Sequence, residues 1–198
     1  MNPAFSNSPD EGSNSCSTAG RILHLAVFLD RDGVINRDTG YVRRVEDFEF
    51  IAGVVPALQE IQRRGYLLFV VTNQSGIGRG YYTLEDYQRV NAWMLAHLAS
   101  NAVTIHGVYV CPHAPDVRCA CRKPAPGLLL QAQREHGLDL PNSWLVGDKP
   151  SDIEAARRAG VGQTLLIRRS QEIDVLSVKP LFVGDSLRDM IPHLSGVE

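Results

Sequence analysis

Two aspartates stand one residue apart in the run Phe28-Leu29-Asp30-Arg31-Asp32-Gly33-Val34, directly after a short apolar stretch. Carboxylates at i and i+2 past the end of a strand can face one site if the chain turns there, and Gly33 permits that turn. Ionised together they repel, so a nearby cation relieves the strain. Oxygen donors select Mg2+, which keeps part of its water shell and binds substrate phosphate. One carboxylate of such a pair can attack phosphorus while the other moves protons. The same residues also read as a solvated Asp-Arg-Asp loop with an ordinary Asp-Gly turn, and so short a motif does not choose between the two. Thr72, Lys123 and Asp148 follow at other expected strand ends, in an order that makes sense for phosphoryl chemistry.

A second constellation lies between them. Cys111-Pro-His113 is followed, five residues on, by Cys119-Ala-Cys121. Three thiols and one imidazole make a full tetrahedral set for Zn2+ and leave no open position, which points to a structural site. The alternatives are a reduced, exposed cysteine loop or an adventitious disulfide. The fourth cysteine, Cys16, is remote in sequence. Arg122 and Lys123 follow the cluster directly, so a metal-pinned loop would hold both cations in place. His24, His97, His106, His136 and His193 have no such company and read as ordinary surface or core residues.

The elements that must position these groups follow from the apolar pattern. Buried strands are expected over 25–29, 66–71, 107–110, 144–146 and 164–167. Helices are expected over 53–64, from Thr83 with Asp86 as its capping-box partner, over 128–136 and over 151–159, where Gly160 closes the last. The apolar face of the Thr83 helix is read as Leu84, Tyr87, Met94, Leu95 and Leu98. A last strand and helix fit within 181–194. Solid apolar strands alternating with helices predict an α/β fold, a parallel sheet covered on both faces. Ligands in such sheets bind beyond the carboxyl ends of the strands, where Asp30, Thr72, Cys111 and Asp148 lie.

With these motifs in hand, the chain resembles the haloacid dehalogenase-like phosphatases, whose fold is a Rossmann-like parallel sheet. The matching segments are DRDG (30–33), the threonine of VVTNQSG (70–76), the lysine of CRKPAPG (121–127) and GDKPSD (147–152). The resemblance covers roughly residues 25–168. It implies that Asp30 is the nucleophile and that Asp32 protonates the leaving alcohol and then activates water. It implies that Asp148 holds Mg2+ with Asp30 and a main-chain carbonyl of Asp32. Thr72 would hydrogen-bond the transferred phosphoryl group and Lys123 would neutralise its charge. Asp152, beside Asp148, could be a carboxylate standing behind the metal ligands, or the first-turn acid of its helix, and is read as the latter. Val183-Gly184-Asp185-Ser186 with Asp189 imitates the last motif, and Asp185 is read as a helix-start residue instead.

One branch of that superfamily carries a zinc loop and lacks a large cap domain, and it acts on heptose bisphosphate or histidinol phosphate. FLDRDGVIN (28–36), DTGYV (38–42), TNQSGIGRGYYT (72–83) and the cysteine segment look most like the heptose side of that branch. By that resemblance Asp38, Thr39, Gly40, Tyr41, Asn73, Gln74, Ser75, Arg122 and Lys149 contact a small phosphorylated sugar. The glycines of 76–80 are read as serving backbone geometry.

Composition narrows the classes further. A formal net charge of −2 offers no basic field for nucleic acid or an anionic membrane. No apolar run approaches the ~20 residues of a membrane span. Residues 1–20 are rich in Ser, Asn, Gly and Pro and read as a disordered tail, with 21–198 as one domain. The tail lacks the continuous apolar stretch of a secretory signal, so the cytoplasm is expected, and a monomer with it. A signalling receiver domain uses similar groups but carries its acidic pair and its phosphorylated Asp on different strands. A polynucleotide end-phosphatase would add a basic groove with stacking aromatics.

Overall fold

The computed structural model describes residues 23–168 and 179–195. Six strands form one parallel sheet: β1 (Ala26–Leu29), β2 (Leu67–Asn73), β3 (Ile105–Cys111), β4 (Trp144–Gly147), β5 (Gln163–Ile167) and β6 (Phe182–Gly184). Their order is β3-β2-β1-β4-β5-β6. Each expected strand is present. β2 and β3 run on past their expected ends because Thr72 pairs with Val110 and Asn73 with Cys111. The winding direction reverses between β1 and β4, and a crevice opens at the carboxyl ends of strands at such a point.

Successive strand residues feed two cores. Val27 and Leu29 pack in one layer with α1 (Val54–Arg63), α3 (Leu84–Ser100) and a 3-10 turn (Leu187–His193). Ala26 and Phe28 pack in the other with α4 (Gly127–His136) and α5 (Pro150–Ala159). Both faces are covered, which is why the strands read as solid apolar runs rather than alternating ones.

Helix positions follow their stripes and caps. α1 buries Val54, Ala57, Leu58 and Ile61, one face of a 3.6-residue period. α3 begins with the expected capping box: Asp86 N–H donates to Thr83 Oγ1, and Thr83 N–H donates to the Asp86 carboxylate. Its buried stripe is Tyr87, Val90, Met94 and Leu98; Leu84, expected on that face, is exposed because the stripe starts one turn later. Gly160 closes α5 in the left-handed conformation. The last element is 3-10 rather than α-helical, with Pro192 inside it removing a backbone donor. A short helix, α2 (Ser75–Gly78), stands where a plain loop was expected. The tail read over 1–20 lies outside the described residues.

Candidate active site

Asp30 is the first residue past β1, and its N–H donates to the Val146 carbonyl at 3.0 Å, tying the ends of β1 and β4 together. Asp148 occupies the matching place past β4. Gly33 has φ +93°, and a methyl group there would overlap the Asp148 carboxylate. One glycine thus permits both the turn after β1 and the approach of the second acid. Gly147 does the same for Asp152, whose side chain would collide with any β-carbon at 147.

Lys123 reaches this pocket from the loop before α4 and is buried. Its Nζ donates to the Val71 carbonyl at 2.7 Å and pairs with Asp152 Oδ1 at 2.7 Å and Asp30 Oδ1 at 3.2 Å. Asp30, Asp148 and Asp152 bring carboxylate oxygens within 4.8 Å of one another. The Asp30 carboxyl is pushed up to about 7: burial raises it most, Lys123 pulls against that, and the Asp152 and Asp148 charges add to the rise. Three crowded carboxylates and one buried ammonium leave an excess of negative charge, which a divalent cation with oxygen preference fits. Asp152 is the least suited of the three to ligate it, since its Oδ1 meets Lys123 and its Oδ2 accepts the Lys149 N–H at 3.0 Å.

Above this floor lies a cleft of about 200 Å3. Asp32, Asp38, Gly40, Tyr41, Asn73, Gln74, Ser75 and Lys149 line it, so most residues expected to meet substrate come together, and Tyr82 joins them. Lys149 Nζ lies 3.0 Å from Asp38 Oδ2 and 3.8 Å from Asp148 Oδ1. Partial burial lowers the proton affinity of Lys149, but the charges of Asp148, Asp30 and Asp38 outweigh it and raise it above its ordinary value. Thr39 lines an adjoining cavity of about 590 Å3 together with Tyr41, Arg43 and Tyr81. Tyr41 has φ +51° and meets Tyr81 edge-on at 4.8 Å, and Arg43 donates to the Tyr81 carbonyl at 2.8 Å. Arg122 lines neither cavity and donates to the His113 carbonyl at 3.4 Å.

Two expected contacts are committed elsewhere. Asn73 donates through Nδ2 to the Lys123 carbonyl and accepts the Lys123 N–H, both at 3.1 Å, bracing the lysine. Gln74 is buried, and its amide bonds to Asp32, Thr72 and Tyr82.

The cysteine cluster sits at the end of β3. Cys111 Sγ is 3.7 Å from Cys119 Sγ and 3.1 Å from Cys121 Sγ, while His113 Nδ1 is 3.5 Å from Cys111 Sγ and 3.2 Å from Cys121 Sγ. A tetrahedron with metal–sulfur bonds of about 2.3 Å has sulfur–sulfur edges of about 3.8 Å. The four donors fit one ion of that kind, slightly drawn together. The loop packs on α2 and on the start of α4 through glycine: a β-carbon at Gly78 would press on Pro112 and Ala114 backbone atoms, and one at Gly127 would overlap Ala120.

Comparison with known proteins now decides the family. A HAD-hydrolase-like family model matches residues 120–190. A D-glycero-beta-D-manno-heptose-1,7-bisphosphate 7-phosphatase of Photorhabdus laumondii is 42% identical, over 87% of this chain and 96% of its own. A D-glycero-alpha-D-manno-heptose-1,7-bisphosphate 7-phosphatase of Burkholderia mallei is 47% identical, over 86% of this chain and 94% of its own. This chain belongs to the haloacid dehalogenase-like phosphatases. Among solved structures, the D,D-heptose 1,7-bisphosphate phosphatase of B. bronchiseptica, complexed with magnesium and phosphate, superposes with a TM-score of 0.78 at 28% identity, covering 85% of this chain and 97% of that one.

In this member of the family, sequence reasoning undervalued Asp152. It does serve as the first-turn acid, but it is also fully buried against Lys123. The signal was available in Gly147, which has no β-carbon because Asp152 occupies that space. Arg31 and Tyr82 were also missed, since an arginine between two aspartates and a tyrosine after a glycine loop look like surface residues. The imitation motif at 183–189 repeats the same turn: Asp185 and Ser186 N–H groups donate to Asp189 Oδ2, and Gly184 makes room for it. Ser186, not Asp185, is the N-cap. Asp185 is largely exposed, which makes this a copy of the backbone device and not of the Lys123–Asp30 pocket.

Proposed function

We propose that this protein is a Mg2+-dependent phosphatase that removes the 7-phosphate of D-glycero-D-manno-heptose 1,7-bisphosphate. The observation that carries the reading is the buried Lys123 set between Asp30 and Asp152, beside Asp148 and beneath the cleft bearing Asp32. The names of the curated relatives support the substrate. Asp30 and Asp148, with the main-chain carbonyl of Asp32, would hold Mg2+, which neutralises phosphate oxygens when bound.

The residues then divide the work. Asp30 attacks phosphorus, and the bond from phosphorus to O7 of the sugar breaks. Asp32 gives its proton to that departing oxygen. Thr72 donates a hydrogen bond to the transferred phosphoryl group, and Lys123 offsets its charge. Asp32 next takes a proton from water as the water attacks the aspartyl-phosphate, and inorganic phosphate leaves with Asp30 restored. Asp38, Thr39, Gly40, Tyr41, Ser75 and Lys149 face the sugar, with Arg122 gripping phosphate and Asn73 and Gln74 behind them. Cys111, His113, Cys119 and Cys121 hold Zn2+ as a structural ion. Residues 21–198 act as one domain, as a cytoplasmic monomer whose partner is the phosphorylated sugar, without nucleic acid or membrane.

The test is phosphate release with Mg2+ from the heptose bisphosphate and from histidinol phosphate at matched concentrations. The reading predicts a kcat/KM preference for the bisphosphate of about a hundredfold or more, ~2.7 kcal/mol of transition-state discrimination. A preference for histidinol phosphate would keep the mechanism and replace the substrate.

A further inference from the structure

We propose that Arg31, Asn36 and Gln74 form a buried clamp that positions the Asp32 carboxylate for proton transfer to the leaving oxygen. The proposal rests on the acid/base role of Asp32 given above. Arg31 is fully buried, unusual for a long cation unless its partners hold it there. Its Nε lies 3.3 and 3.2 Å from the two oxygens of Asp32, and its Nη2 lies 2.9 and 3.0 Å from them. Asn36 Nδ2 donates to Oδ1 at 2.9 Å, and Gln74 Nε2 donates to Oδ2 at 2.8 Å. Donors from the turn after β1 and from the end of β2 therefore converge on one carboxylate, which keeps 16% of its side chain open to solvent.

The clamp is itself anchored. Arg31 Nη2 reaches the Val42 carbonyl at 3.3 Å and Gln74 Oε1 at 3.4 Å, and the guanidinium lies 5.6 Å from the Tyr87 ring centroid. Gln74 Oε1 accepts from the Tyr82 hydroxyl at 2.6 Å, and Gln74 Nε2 also donates to Thr72 Oγ1 at 2.9 Å. Every polar atom of the Gln74 amide is occupied, so its contribution is made through Asp32 and Thr72 rather than by touching substrate. Val42 follows Tyr41, and Tyr82 lines the cleft, so the clamp is braced by both walls of the sugar pocket. An acid must stand within hydrogen-bond reach of the oxygen it protonates, and small misplacements cost rate steeply.

Proton donation gives a readout that a structural role does not. An alkyl leaving group needs the proton, whereas p-nitrophenolate departs without one, and kcat/KM covers the steps through that departure. Arg31→Lys keeps the charge but loses the forked geometry. It is expected to lower kcat/KM for heptose bisphosphate by about ten- to a hundredfold while leaving p-nitrophenyl phosphate within about threefold. Asn36→Leu, which removes the donor to Asp32 Oδ1 at a buried position outside the cleft, carries the same expectation in smaller measure and decides the matter if Arg31→Lys does not fold. Equal falls on both substrates, or no fall on the sugar, would overturn the clamp. Asp32→Asn is the control: it should show the same leaving-group dependence in full. If it shows none, the acid role fails and the clamp with it; if it shows the dependence and the clamp variants do not, the clamp alone fails.

Discussion

Lys123 sits where a positive charge is hardest to keep, with almost no solvent and its Nζ between Asp30 and Asp152. Burial works against its charge, yet the two carboxylates raise its proton affinity above the ordinary value. Asp152 supports that charge at 2.7 Å, the shorter of the two pairings. Asp152→Ala removes the nearer of the two carboxylates on Lys123 and leaves Asp30 as the other, and it is expected to destabilise the fold by about 1–3 kcal/mol, measured by urea denaturation, with activity falling as Lys123 loses its second anchor. An unchanged midpoint would contradict the pairing. The sequence let Asp30, Asp32 and Asp148 be picked out because paired acids after apolar runs are conspicuous. Asp152 and Gln74 were harder to read. Each is a polar residue whose role depends on burial, and burial comes from elements distant in the chain: Lys123 for one, Asp32 and Tyr82 for the other.

Elements set these positions through glycine and through the cysteine loop. Strand and helix order were legible because each strand carries an apolar run, unbroken in β1 and at the heart of β2, β4 and β5, and α3 declared its start through Thr83 and Asp86. α2 was not legible. Its glycines serve contacts that no local pattern reveals, Gly76 against the Tyr82 ring and Gly78 against the backbone of the cysteine loop. That loop leads straight into Arg122 and Lys123. We expect about one equivalent of zinc per chain by elemental analysis, and expect Cys121→Ser to lose it, to lower Tm and to weaken catalysis through the loosened lysine. Full zinc content and unchanged Tm in that variant would contradict the assignment of Cys121 as a ligand.

At the scale of the whole molecule, the sheet brings scattered residues together by topology. The order reversal between β1 and β4 sets Asp30 beside Asp148, β2 delivers Thr72 next to them, and the segment after β3 returns Lys123 underneath. A net charge of −2 leaves attraction of an anionic sugar phosphate to local cations, Lys149 at the cleft and Lys123 below it. Sequence order alone pointed to this convergence, because ligands of open parallel sheets gather at strand ends. The central claim, a phosphoryl group passing through Asp30, is tested most directly by an acid quench during turnover of heptose 1,7-bisphosphate with Mg2+, followed by mass spectrometry of the peptide containing Asp30. The account predicts a phosphate adduct on Asp30 in the wild type, and neither adduct nor phosphate release in Asp30→Asn. Full turnover by Asp30→Asn, or an adduct on another residue, would contradict it.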